Sequence, residues 1–245
     1  MTTTRTTAAS ALLLLAALAL AGCATTPGGA TPESTGSGGA DAGSSAPAQD
    51  ADVEAAWLDG GRSVGLVTYG SSSCQPVVGE VSASGQTVTV ELNDPEGAAC
   101  TRDYVPRASY VGLPVGIDPA QDVEIIVTGG YTGDADLDGV AGLEGPTGAV
   151  NDEMLPSAGW FDDAGLVLLT WGSSSCPPVF ETVAIDEGGA VRATEAAAAA
   201  DQVCTMDYAP RLSVLAVEGV SDDARPGEIV LVSSAGDEQR IAVIG

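Results

Sequence analysis

The stretch Gly70-Ser71-Ser72-Ser73-Cys74 returns as Gly172-Ser173-Ser174-Ser175-Cys176, and the chain around the two copies repeats with it. Trp57-Leu58-Asp59 matches Trp160-Phe161-Asp162, and Gly65 to Gly70 parallels Val167 to Gly172. Cys100-Thr101-Arg102-Asp103-Tyr104-Val105-Pro106-Arg107 aligns with Cys204-Thr205-Met206-Asp207-Tyr208-Ala209-Pro210-Arg211. A duplicated unit folds twice from one pattern, so what closes one copy should close the other. Of the five cysteines, four fall two per copy at nearly equal spacing. Four cysteines allow three connectivities, but a duplicated unit keeps its bond internal, which pairs Cys74 with Cys100 and Cys176 with Cys204. Closing a loop of about 27 residues is worth roughly 3 to 4 kcal/mol in the chain-entropy model, a large contribution for a small domain. A four-thiolate metal site is the competing use of these cysteines, but the chain has no C-x-x-C pair and no histidine.

Each copy reads as strands. Thr87-Val88-Thr89-Val90-Glu91-Leu92 alternates polar and apolar with period two, the pattern of a sheet with one face buried. Leu212 to Val217 and Arg240 to Ile244 are similar runs, and Gly, Pro, Asp and Ser punctuate the chain roughly every ten residues. The expected fold is all-β: two tandem, small, disulfide-stapled antiparallel β-domains, sandwich-like, after a disordered tether, or one sandwich built from both copies. The first repeat is placed at 55–130, an acidic inter-repeat linker at 131–157 and the second repeat at 158–245. Only Glu195 to Gln202, rich in alanine, leans towards helix, inside a loop of the second repeat. Trp57 and Trp160 open the repeats. Because aromatics are 4% of the chain, they are expected to cover the ends of small cores; the alternative is exposed stacking on a sugar or a partner protein.

Upstream of the repeats, Arg5 precedes an apolar run from Ala11 to Leu20, which leads into Leu20-Ala21-Gly22-Cys23. This resembles the signal peptides of bacterial lipoproteins, over the first 23 residues only. The resemblance implies cleavage after a leader at 1–22, acylation of the Cys23 thiol and a protein held on the cell membrane, facing outside the cytoplasm. The apolar run is itself too short to span a bilayer, which takes about 20 residues. Residues 23–54, rich in Gly, Ser, Thr, Pro and Ala, read as a disordered tether after the lipidated cysteine, with a root-mean-square span of about 30 Å. Cys23 accounts for the fifth cysteine, and an oxidising exterior permits both disulfides.

The formal charge is −26, from 34 acidic residues against 8 basic ones, all of them arginine. Phosphate backbones repel such a surface, so nucleic acid is excluded as a partner. The expected partners are the membrane, through the lipid on Cys23, and an envelope protein or glycan. Acidity alone also serves the solubility of an exported protein.

The chain lacks both histidine and lysine, which removes Ser-His-Asp, Cys-His and Ser-Lys machinery. A non-enzymatic binding or structural module of the cell envelope is therefore the leading reading, with no catalytic residue assigned. The alternatives are a carboxylate-dependent hydrolase of envelope polysaccharide and an extracellular protease inhibitor. The disulfides should bring the serine loops beside the Asp-Tyr-x-Pro-Arg elements. That makes Ser72, Ser73, Asp103, Tyr104 and Arg107, with Ser174, Ser175, Asp207, Tyr208 and Arg211, the candidate binding residues. The structural alternative, which is favoured, has the aspartate pairing with the arginine four residues on and the tyrosine packing under the disulfide. Between the repeats, Asp134-Ala135-Asp136-Leu137-Asp138-Gly139 resembles the start of the calcium loops of EF-hands and dockerins. Asp134, Asp136 and Asp138 would be the ligands of a calcium ion, the one cofactor considered; the same segment also reads as a strand with an acidic face.

Overall fold

Residues 49–148, 154–220 and 225–245 are described by a computed structural model; the leader, Cys23 and the tether up to residue 48 lie outside the described residues. The first repeat supplies β1 (Gln49–Asp50), β2 (Val53–Leu58), β3 (Ser63–Gly70), β4 (Val77–Ser84), β5 (Thr87–Asn93), β6 (Val105–Gly112), β7 (Val123–Gly129) and β8 (Tyr131–Leu137). The second supplies β9 (Ser157–Trp160), β10 (Gly165–Gly172), β11 (Phe180–Ile185), β12 (Val191–Glu195), β13 (Ala209–Ala216), β14 (Glu228–Val232) and β15 (Glu238–Ile244). The fold is all-β, with no α-helix among the described residues. Both expected disulfides are present, Cys74–Cys100 and Cys176–Cys204.

In the first repeat one sheet has the order β1-β8-β7-β5-β4 and the other β2-β3-β6. The second repeats this arrangement as β15-β14-β12-β11 and β9-β10-β13, and a short parallel pairing of β15 with β9 joins the two into one seven-stranded sheet. The expectation of antiparallel domains is corrected here, because the sheets are mixed. β5 pairs with β7 in parallel, Val88 opposite Ile125, and β12 pairs with β14 in parallel, Val191 opposite Ile229. Between each such pair the chain crosses to the other sheet for one strand, β6 or β13, and returns in its original direction. A crossover of that kind forces parallel pairing.

Each repeat has its own apolar core. Trp57, Leu66, Val90, Leu92, Val111 and Ile125 meet in the first, and Trp160, Leu166, Leu168, Ala193 and Ile229 in the second. Both tryptophans are buried, with indole N–H groups donating to the carbonyls of Asp138 (2.9 Å) and Pro226 (3.2 Å). They are core residues, as their place at the head of each repeat suggested.

A third core lies between the repeats, which belong to one compact unit. Ala56, Leu58, Val67 and Ala108 pack against Val167 and Leu169, so β3 and β10 are covered on both faces. That is why Val64-Gly65-Leu66-Val67 and Leu166-Val167-Leu168-Leu169 run as continuous apolar stretches. The contact has an approximate two-fold axis. Asp59, at the end of β2, donates its N–H to Ser157 Oγ at the start of β9 (2.8 Å). In the symmetric position Glu54, near the start of β2, lies close enough to Asp162, just past β9, to feel its charge. Gly65 and Val167, equivalent residues, meet each other: a Cβ on Gly65 would stand 2.7 Å from Val167 Cγ1. Two side chains do not fit on the axis, and glycine makes room for one.

Two boundaries differ from expectation, and the helix-leaning stretch is a loop without helix. The segment 131–157 is not all linker, since β8 pairs antiparallel with β7 as the last strand of the first repeat. Strand β2 starts at Val53, inside the stretch read as tether. Glu195 closes β12 and the alanines after it form an irregular loop with a turn in which Gln202 N–H donates to Ala199 carbonyl (3.0 Å).

Candidate functional site

The serine loops leave β3 and β10 at their C-terminal ends, where each disulfide ties them to the segment entering β6 or β13. Asp103 is the organiser in the first copy. Its two carboxylate oxygens accept the Ser72 N–H at 3.2 and 3.3 Å, and one also accepts the Thr101 hydroxyl proton. A hydroxyl has one proton to give, so Thr101 Oγ1 is left as acceptor for Ser71 Oγ, 2.8 Å away. Ser73 Oγ takes the Thr101 N–H at 3.0 Å. The second copy reproduces the set: Ser174 N–H to Asp207 at 3.2 Å, Thr205 hydroxyl to Asp207, Ser173 to Thr205 at 2.8 Å, and Thr205 N–H to Ser175 Oγ at 2.9 Å.

These contacts hold the carboxyls of Asp103 and Asp207 down at about 2, first through the hydroxyls of Ser72 and Ser174 and then through those of Thr101 and Thr205. A carboxyl in that range is ionised at neutral pH. It can accept hydrogen bonds or attract a cation, but it has no proton to give as a general acid.

Arg107 and Arg211 do not pair with these aspartates. Arg107, 5% exposed, donates through Nη1 to the carbonyls of Ser71 (3.2 Å) and Cys74, and through Nη2 to the Tyr69 carbonyl (3.4 Å) and Tyr131 hydroxyl (3.2 Å). Arg211 likewise serves the carbonyls of Cys176 (2.9 Å) and Trp171 (3.1 Å). Both arginines act inside the loop, satisfying backbone acceptors that the turn leaves open.

The tyrosines do not pack under the disulfides. Tyr104 is 69% exposed and stacks on Tyr69, with ring centroids 5.8 Å apart; Tyr208 is 62% exposed and stacks on Trp171 at 6.4 Å. Each copy therefore presents an aromatic platform beside a rigid array of hydroxyls and one carboxylate. The sequence reading missed Thr101 and Thr205, the hubs of the hydroxyl arrays, and Tyr69 and Trp171, the undersides of the platforms. The signal was there, because Cys-Thr-x-Asp-Tyr recurs in both copies and an aromatic precedes the loop glycine in both.

The two platforms face opposite ways. Trp171, beside the second loop, meets Tyr110, which pairs with Gly65 in the half of β3 remote from the first loop. Asp59, also remote from the first loop, meets Ser157, which pairs with Leu169 close to the second. An antiparallel crossing of that kind puts the loops at opposite ends of the molecule.

Within the Asp134 to Gly139 segment, Asp134 to Leu137 belong to strand β8, the acidic-faced strand that the sequence offered as its other reading, and Asp138 and Gly139 follow it. Asp134 and Asp136 sit on the exposed face of β8, opposite Ile126 and Glu124, while Ala135 and Leu137 point to the core. Among the described residues, no group of three or more acidic, histidine or cysteine side chains could hold a metal ion.

No family model, curated protein or solved structure matches the chain.

Proposed function

We propose that the protein is a lipid-anchored module, held outside the cytoplasm through Cys23, that binds envelope components without catalysis and carries a recognition surface at each end. One observation carries this reading: an exposed tyrosine, stacked on a second aromatic beside a disulfide-closed hydroxyl and carboxylate array, occurs in both copies at opposite ends. Loops on a rigid scaffold are the usual carriers of binding residues, and aromatic side chains carry much of the energy at interfaces. Exposed apolar residues gather at the second end, where Val179, Val203 and Met206 join Tyr208. In this reading each repeat is a small two-sheet sandwich, and the tether lets the pair reach away from the membrane. Asp103 and Asp207, ionised at neutral pH, speak against proton-donating roles in a hydrolase.

The test places a photo-crosslinking residue at position 104 or 208 of the lipidated protein in its own envelope, with position 85, in the β4–β5 turn, as reference. A discrete species captured from 104 or 208 and not from 85 is the expected result. Capture no stronger than at 85 from both positions overturns the reading.

A further inference from the structure

The two repeats differ most where β7 or β14 turns back beside the serine loop. In the first repeat this place is filled. Leu92 is fully buried there, and Tyr131 lies against Arg107, its ring centroid 5.8 Å from the guanidinium carbon and its hydroxyl donating to Asp94. The ladders give the equivalent positions in the second repeat. Leu92, on β5 opposite Gly129, corresponds to Glu195 at the end of β12; Tyr131, first residue of β8, corresponds to Asp237, which precedes β15. A leucine and a tyrosine are thus replaced by two carboxylates, and in their place lies an open cleft of about 270 Å³. Trp171, Tyr208 and Leu231 form its apolar walls, and Glu195, Asp237, Glu238 and Arg211 are its charged ones, with Glu238 ion-paired to Arg192.

Charge in this cleft is unbalanced. Arg211 is turned to the carbonyls of Cys176 and Trp171. Among the described residues, neither the Glu195 nor the Asp237 carboxylate is hydrogen-bonded or ion-paired, although Glu195 is half-buried. A half-buried carboxylate without a partner calls for a positive one. Aromatic faces beside two free carboxylates suit an alkylammonium group, which gains a charge-assisted hydrogen bond on one side and ring contact on the other.

We propose that the cleft of the second repeat binds an organic cation, its ammonium group between Glu195 and Asp237 and its alkyl chain against Trp171 and Tyr208. The first repeat, plugged by Leu92 and Tyr131, does not bind it. This rests on the reading of the second end as a recognition surface and names its chemistry. The same cation could arrive as a free amine or as a lysine side chain of a partner protein.

The experiment titrates the full chain calorimetrically with 1,5-diaminopentane and, separately, with the capped tripeptide Ala-Lys-Ala. Binding of either at millimolar or lower concentration is expected, with the tighter ligand identifying the source. The double substitution Glu195→Leu with Asp237→Tyr installs the plug that the first repeat already carries, and should weaken binding at least tenfold. Glu195→Gln with Asp237→Asn, which keeps the shape, should do the same, so the test survives if the plugged variant misfolds. Asp134→Asn with Asp136→Asn removes the same charge from β8 and should leave binding within twofold of the parent. No binding of either probe, undiminished binding in a folded cleft variant, or equal weakening by the β8 variant overturns the proposal. Crosslinking at 104 and 208 could still succeed in each case, which separates this failure from failure of the broader reading.

Discussion

Asp103 and Asp207 show how one residue can organise a loop while staying in water. Because their folded-state pKa is depressed to about 2, the hydrogen bonds they accept favour the fold in the ionised form. That contribution is fully present above the ordinary carboxylate range, near pH 4, and is lost as pH falls through about 2. Carboxyl-carbon NMR should therefore show two aspartates still ionised at pH 3 while most others have titrated. Asp103→Asn and Asp207→Asn should speed amide exchange at Ser72 and Ser174 at neutral pH, since the N–H groups of those serines lose a charged acceptor. Unchanged exchange at both amides would mean that the disulfides alone hold the loops.

Within the strands, alternation and cysteine spacing made much of the fold readable. Thr87 to Leu92 announces β5 because its outer face is wet, and two cysteines per copy announce the staples. The direction of pairing was not readable, because alternation is the same in parallel and antiparallel strands and the crossovers through β6 and β13 are long-range. Strand β8 was legible only as one of two readings: Asp134 and Asp136 occupy its outward positions, so a strand with an acidic solvent face shares its residue pattern with the start of a calcium loop. The candidate site was half legible, since duplication marks Asp103, Tyr104 and Arg107 alike but cannot tell the exposed tyrosine from the buried arginine. The staples carry an expectation of their own. Replacing Cys74 and Cys100 by alanine releases a loop closed over 26 positions and should lower stability to urea by about 3 kcal/mol. It should also free the Ser71 and Cys74 carbonyls from Arg107, so the stacking of Tyr104 on Tyr69 should loosen in the same variant, seen as a shift of the Tyr104 ring resonances.

At the scale of the whole molecule the chain is a pseudo-symmetric pair in which two copies share a core, and its symmetry was broken where identical residues could not coexist. Glu54 records one cost of this arrangement. Burial, with Asp162 and Asp52 nearby, raises its pKa despite a 2.9 Å hydrogen bond from the Tyr69 hydroxyl. A carboxyl with a raised folded-state pKa disfavours the fold once ionised, so the penalty is absent below the unfolded pKa, grows as pH rises between the two values and is complete above the folded one. Glu54→Gln should match the parent in thermal stability near pH 4 and equal or exceed it at pH 7; a lower melting temperature at pH 7 would mean that the ionised hydrogen bond to Tyr69 outweighs burial. The axis itself gives a sharper test. Gly65→Val puts a second side chain where Val167 already sits, and overpacking of this kind costs about 1 to 3 kcal/mol. If the two repeats are equivalent across that axis, Val167→Gly should restore most of the loss, because the valine then enters the shared core from the other side. On its own, Val167→Gly leaves a cavity and should destabilise, so the two single changes would be strongly non-additive. Urea unfolding of the two single variants and the double would decide it: recovery in the double variant shows that the halves are interchangeable at their centre, whereas additive losses would mean that neighbours such as Leu58 and Phe161 have fixed which repeat must supply the side chain.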